Sequence, residues 1–516
     1  MIWTRRQALW TGGGIGTAAL LTACGGGKDA ASSPADSSGG TPRKGGTLRV
    51  GALGRASATT RDPHGNQGNE SDYLIIALVH DTLTAPGLKD NTVGRLATAW
   101  KPSADLRTWR FTLAEGAVFH DGSPVTADDV VWSLRRLRDT PAGASRLPGV
   151  KAENITADGK GTVVLVSDVA NAELPLLTRL STFVLKKDTP DKEIPKAPGT
   201  GPFKLDWFRG GNARLLRNDK WHGGRVHLDA VEVTMFESPQ AMANALLGGQ
   251  IDLASNVGPV AARSAASRKD VQLVRRPGDM AMPLVMRTAD GPFADVRVRE
   301  AMKLVVDREA MVEQVLSGYG TVANDVLGTA DPAYAKDLPR RTRDLARAGK
   351  LLGEAGFDLS KTYDLVTTED VPGLAESATL FANHAREAGV KIKVVKQESG
   401  AFYEKTWLKG SFYTNYWGTN DSVIFLAAKM ITGAGQNEAG WSDPGFDGAY
   451  RKAVGAPDEK ARATALRELQ RIEHDRSGYL LWGVADGIDL AGPKVRDLPR
   501  LPGYGRVQLE RVWLAR

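Results

Sequence analysis

The stretch from Leu96 to Leu137, LATAWKPSADLRTWRFTLAEGAVFHDGSPVTADDVVWSLRRL, decides how the rest of the chain is read. Trp109, Phe111 and Leu113 alternate with Thr108, Arg110 and Thr112, the period-two pattern of a half-buried strand. Phe119-His120-Asp121-Gly122 predicts a turn, because Gly takes positive φ freely and Asp bonds to nearby backbone. Thr126 precedes Asp129 by three, an approximate capping box, and Val130, Leu134 and Leu137 fall on one helix face. A strand, a turn and a capped amphipathic helix in direct succession predict a mixed α/β protein.

The chain has 516 residues, too many for one core and enough for two or three lobes. Hydrophobic residues at 42% and charged residues at 25% are ordinary for a globular protein. The net charge is +7, but Lys and Arg are interleaved with Asp and Glu, which predicts a mixed solvated surface and no nucleic-acid patch. There is no Gly-x-Ser-x-Gly elbow, His-Glu-x-x-His, Walker loop or paired thiol. The seven histidines are scattered, and His222 and His227, the closest pair, lack a carboxylate at metal-ligand spacing. No catalytic residue, metal or cofactor is therefore expected.

Residues 1–23 read as an export signal. Thr4-Arg5-Arg6-Gln7-Ala8-Leu9 resembles a twin-arginine motif, although Ala8 stands where Phe is usual and general export stays open. The weakly apolar run from Leu9 to Ala23 is too short to span a bilayer as a mature helix. Leu21-Thr22-Ala23-Cys24 resembles a lipobox, and Cys24 is the only cysteine, so no disulfide is possible. The remainder of 24–45 has almost no apolar residue and predicts a tether between a lipidated Cys24 and the folded domain. The expected location is the outer face of the cell membrane, or the periplasm.

Ala97-x-x-Trp100, the strand after it, and FHDG-S-P-V-T-A-D-D-V resemble the signature region of the bacterial extracellular solute-binding proteins of family 5. Gly199-Thr-Gly-Pro-Phe203, Gly249-Gln-Ile-Asp252 and Phe293-Ala-Asp-Val-Arg297-Val-Arg299 continue the resemblance, which covers nearly all of Gly45 to Arg516. Strands are expected at 46–51, 155–165, 363–367, 390–395, 412–421 and 478–490. Helices are expected at 73–83, within 172–184, and at 240–247, 300–316, 345–355, 374–388 and 460–475. The family implies an α/β, two-lobed periplasmic-binding-protein (Venus flytrap) fold of the large oligopeptide-binding type, with an extra subdomain on lobe I. The expected boundaries are 46–280 for lobe I, with its subdomain at about 65–195, 281–484 for lobe II, and 485–516 for a return to lobe I.

The implied role is the substrate-binding component of an ABC importer, a monomer that captures an oligopeptide and hands it to a permease and ATPase complex. A nickel chelate, opine or oligosaccharide is an alternative solute, and a secreted hydrolase using an unrecognised carboxylate pair is an alternative of another class. Trp417, followed by Gly418-Thr419-Asn420-Asp421, suits a cleft that holds polar groups among aromatic walls. In peptide-binding relatives a Trp-Gly segment precedes an Asp that pairs with the ligand's α-amino group. Here Asp421 fills that role one position late, or Asn420 fills it and favours a neutral or blocked ligand. Arg287 is a candidate for a ligand carboxylate, the alternative being an exposed or ion-paired hinge arginine. Asn69 is a candidate by position alone, Arg297 and Arg299 read as ion pairs, and Trp441 and Trp482 as packing.

Overall fold

A computed structural model describes residues 40–65, 69–87, 92–140, 146–179, 182–329, 331–369, 371–418, 422–501 and 507–516. Arg5, Arg6, Cys24, Asn420 and Asp421 therefore lie outside the described residues. Thr41–Arg516 is one compact unit. Among the described residues no helix is long and apolar enough to cross a membrane.

The first strand, β1 (Thr47–Leu53), buries Leu48 and Val50 completely. Helix α1 (Glu70–Val79) begins before the expected Tyr73 and stops short of Leu83. It ends there because the Val79 carbonyl accepts from the Gly201 N–H at 2.8 Å and His80 is extended, with ψ 145°. Gly199 has to be glycine at this junction, since a Cβ there would lie 1.9 Å from the Val79 oxygen.

The strand, turn and helix of Leu96–Leu137 form as read. In β2 (Ala97–Pro102) and β3 (Thr108–Leu113), Trp109, Phe111 and Leu113 point inward and Arg110 and Thr112 outward. Helix α2 (Ala127–Arg138) starts in a capping box in which the Asp129 carboxylate accepts from the Thr126 N–H at 2.8 Å. Ile155–Leu165, expected as one strand, is instead a hairpin of β4 (Val150–Asp158) and β5 (Thr162–Ser167), turned at Gly159 with φ +67°. These strands make an antiparallel sheet in the order β2-β3-β5-β4, whose core includes Val130, Leu134 and Leu137 from α2. Within 172–184 the described helix is a single turn, Leu174–Leu177.

Among the further elements are β6 (Phe203–Arg209), β7 (Asn212–Arg217), β8 (Ala230–Phe236), α3 (Pro239–Leu247), β9 (Leu253–Ala254) and β10 (Gln272–Met286). They continue with α4 (Val296–Val305), α5 (Arg308–Leu316), β11 (Gly320–Val322), α6 (Leu345–Glu354), β12 (Thr362–Thr367), α7 (Leu374–Glu387) and β13 (Lys391–Lys396). Last come α8 (Ser399–Lys405), β14 (Phe412–Thr414), β15 (Trp417–Gly418), α9 (Val423–Ala428), α10 (Pro444–Val454), α11 (Glu459–Arg476) and β16 (Tyr479–Ala491). The helix expected at 300–316 is two helices, because Val306 is extended and the Asp307 carboxylate caps α5 through the Ala310 N–H at 2.9 Å. The strand expected from Phe412 is interrupted after Thr414 and resumes for two residues at Trp417.

One sheet runs through the molecule in the order β13-β12-β14-β10-β16-β9-β1-β8-β7-β6, with β11 beside β16 and β15 beside β10. Its two halves share the long antiparallel strands β10 and β16. Gln272–Arg276 pair with Gly487–Ala491 on the β1 side, and Met280–Val285 pair with Tyr479–Ala485 on the β14 side. The register shifts between Arg276 and Met280, where Gly278 has φ +68°. At this crossing the fully buried Arg276 guanidinium is held by Asp489 at 2.9 Å and by Asp279. Separate cores lie to either side. Leu48, Phe203 and Val231 share one with Leu509 and Val512 near the C-terminus, while Met302, Phe381, Phe412 and Trp482 share another.

Candidate ligand cleft

On the β1 half, the loop after β1 lies where that half contacts the other. The Asn69 side chain holds that loop from within: its Oδ1 accepts from the Arg55 N–H and its Nδ2 donates to the Arg55 carbonyl, both at 2.9 Å. Asn69 is 5% exposed, so its amide serves the loop and is not presented to a ligand. The Arg55 guanidinium pairs with Glu398 of the other half, which precedes α8. The Gly400 and Ala401 N–H groups hold the Glu398 carboxyl below the usual range. A second crossing pairs Glu173 with the Arg462 Nε at 2.8 Å. Burial raises the Glu173 carboxyl, and Arg462 opposes that rise. Phe425 of α9 makes a third crossing, packed into the core of the β2-β3-β5-β4 sheet.

The other side carries Trp417. Strand β15 pairs with Met280 and Ala281, immediately past the register shift in β10, and so places Trp417 where the two halves meet. The Trp417 Nε1 donates to Glu438 Oε2 at 3.2 Å, while Glu438 Oε1 accepts from Trp407 Nε1 at 2.7 Å and from Asn415 Nδ2. The Lys429 ammonium lies 4.4 Å from the centre of the Trp417 ring and 4.3 Å from that of Phe425. Burial pushes the Glu438 carboxyl up to about 8, against the indole and amide N–H groups and the Lys429 charge, which pull it down.

Arg287, at the end of β10, pairs its Nε with Asp290 at 3.1 Å, the ion-paired alternative. Arg297 pairs with Asp295. Arg299 corrects the ion-pair expectation: it is buried against the carbonyls of Phe293, Ala294 and Arg476, and burial pushes it down to about 10. Trp441 and Trp482 are core side chains. His120 joins two sequence motifs, its Nδ1 accepting from the Gly199 N–H at 3.2 Å and its Nε2 facing the Gly201 carbonyl at 3.0 Å. Among the described residues, no group of three or more His, Cys, Asp or Glu could hold a metal ion.

Of the described sequence candidates, Trp417 lies where the two halves meet, 9% exposed, with its indole held by Glu438 and its ring beneath Lys429. Glu438, Lys429, Arg55 and Glu398 were missed. Each reads singly as a solvated charge, and only the fold brings Trp407, Asn415 and Trp417 onto Glu438.

A family model described as "Bacterial extracellular solute-binding proteins, family 5 Middle" matches residues 91–436. The chain belongs to this family. As a family 5 protein it is a member of a solute-binding family and not of an enzyme family. The dipeptide-binding protein of Escherichia coli (strain K12) is 24% identical over 428 residues, 75% of this chain and 79% of that protein. The oligopeptide-binding protein AppA of Bacillus subtilis (strain 168) is 28% identical over 399 residues, 74% of this chain and 72% of that one. The structure of the ABC transporter-associated periplasmic binding protein DppA from Helicobacter pylori, in complex with peptide STSA, superposes with a TM-score of 0.80 at 21% identity. It covers 92% of this chain and 99% of that one. The fold of this family 5 protein is accordingly the two-lobed, mixed α/β architecture, with β10 and β16 as the strands common to both lobes.

Proposed function

We propose that the chain is the substrate-binding component of an ABC importer, exported, anchored to the membrane through a lipidated Cys24, and specific for oligopeptides. Lobe I comprises 46–280 and 485–516, and lobe II comprises 281–484. The observation that carries the reading is the position of Trp417 at the meeting of the lobes, with charge contacts such as Arg55–Glu398 and Glu173–Arg462 between them. Closure of two such lobes encloses a solute, removes water from it and holds it by a few directed polar groups. The peptide relatives support a peptide, whose backbone a cleft can hold through main-chain groups while tolerant pockets take the side chains. The protein works as a monomer and hands its ligand to a permease and ATPase complex without covalent chemistry.

Asp421 is assigned the ligand's α-amino group. Truncating a buried partner of a charged group costs about 2–5 kcal/mol. Asp421→Ala is therefore expected to weaken binding of tri-alanine at least about tenfold, or about 1.4 kcal/mol, by titration calorimetry. Unchanged affinity rejects the assignment, and the same solutions examined by chromatography report on turnover: intact tri-alanine supports a receptor, and alanine release supports the hydrolase reading.

A further inference from the structure

We propose that Glu438 is a positioning residue of the ligand cleft, fixing the orientation of the Trp417 wall through a three-donor clamp. The inference rests on the reading of the junction of the lobes as a solute cleft. Its basis is convergence. Trp407 follows α8, Asn415 precedes β15 and Trp417 lies within it, yet the N–H groups of all three meet on one carboxylate that is 1% exposed. The Glu438 carbonyl is held in turn by the Tyr413 hydroxyl, which donates to it at 3.1 Å.

An ionised carboxylate is acceptor-only, with about four lone-pair sites, and takes three donors at once. Its charge makes each of those bonds stronger than a neutral one. Protonation turns one oxygen into a donor, and none of the three facing N–H groups can accept from it. Protonated Glu438 therefore loosens its grip on the Trp417 indole. The groups facing Glu438 are Lys429 from the end of α9, Tyr413 from β14 and Tyr479 from β16. Burial raises both tyrosine hydroxyls above their ordinary value, and Arg287 draws that of Tyr413 back down. Lys429 is the charged group that balances the ionised clamp, seated over the Trp417 ring. With the Glu438 carboxyl pushed up to about 8, clamp and wall change together at mildly alkaline pH.

The test uses the whole protein with 15N-labelled tryptophan, the indole resonances being assigned by Trp407→Phe and Trp417→Phe. The Trp407 and Trp417 resonances are expected to move together between about pH 7 and about pH 9 in the wild type, and to stay still in Glu438→Gln. Tri-alanine is the binding probe. The ratio of wild-type to Glu438→Gln affinity is expected to rise at least about threefold over the same range. The probe's own amine titrates against both proteins and cancels in that ratio. Unmoved resonances in the wild type, or a constant ratio, overturn the proposal. If Glu438→Gln does not fold, the wild-type titration decides alone. If tri-alanine binds neither protein, the oligopeptide reading fails, and the indole titration still decides the role of Glu438.

Discussion

Asn69 holds the backbone of Arg55 from both sides, its Oδ1 accepting from the N–H and its Nδ2 donating to the carbonyl, while Nδ2 also reaches Thr59 and Asp72. Truncation removes these bonds from the part-buried Arg55 backbone, so Asn69→Ala is expected to lower stability by about 1–3 kcal/mol, read as a shift in the urea midpoint. A variant of unchanged stability would show that the loop is held by other contacts. The position of Asn69 after the first strand was legible in sequence, but its role was not, because an Asn amide facing a ligand and one facing backbone look alike in a string. Arg287 differs, since its partner Asp290 stands three residues on and the ion-paired reading was available from spacing. Glu438 had no such signal. Its partners Trp407, Asn415 and Trp417 precede it by up to 31 residues and converge only in the fold.

At the scale of elements, the crossing of β10 and β16 is the feature most exposed to mutation. Arg276 is unexposed, paired with Asp489 and Asp279, and fits because Gly487 opposite has no Cβ. Removing one partner of a buried ion pair leaves the other charges uncompensated, at about 3–5 kcal/mol. Arg276→Ala is expected to fall in that range in equilibrium unfolding, and a loss below about 1 kcal/mol would show that water or other groups replace the guanidinium. The capped helices α2 and α11, the apolar-striped helix α7 and the wholly buried strand β16 were legible where they occur. The errors fell where a local polar group or a neighbour overrode the pattern. Asp307 divides one expected helix into α4 and α5, Gly159 folds one expected strand into a hairpin, and Gly201 takes the carbonyl that would have continued α1.

For the molecule as a whole, buried histidines make stability depend on pH. In lobe I, His64 is buried with Nε2 against the Phe183 carbonyl and Nδ1 facing Arg136. Burial pushes it down to about 4, and pushes the buried His80 down to about 3. A depressed pKa means that the unfolded chain takes up protons first, so the stability held above about 6.5 is lost as pH falls through about 4. For His64 this loss is on the order of 3 kcal/mol. Urea midpoints of the wild type are expected to fall more steeply over this window than those of His64→Gln, and parallel slopes would contradict the burial account.

The two-lobed plan was legible because several family motifs occur in order along one chain. The ligand was not, because Asn420-Asp421 departs from the usual spacing. Native mass spectrometry of the purified protein, before and after mild denaturation, addresses that question most directly. The account predicts a ladder of short-peptide masses, bound one per protein and released when the lobes unfold. A single non-peptide mass, or a protein that carries and binds nothing, would contradict oligopeptide capture.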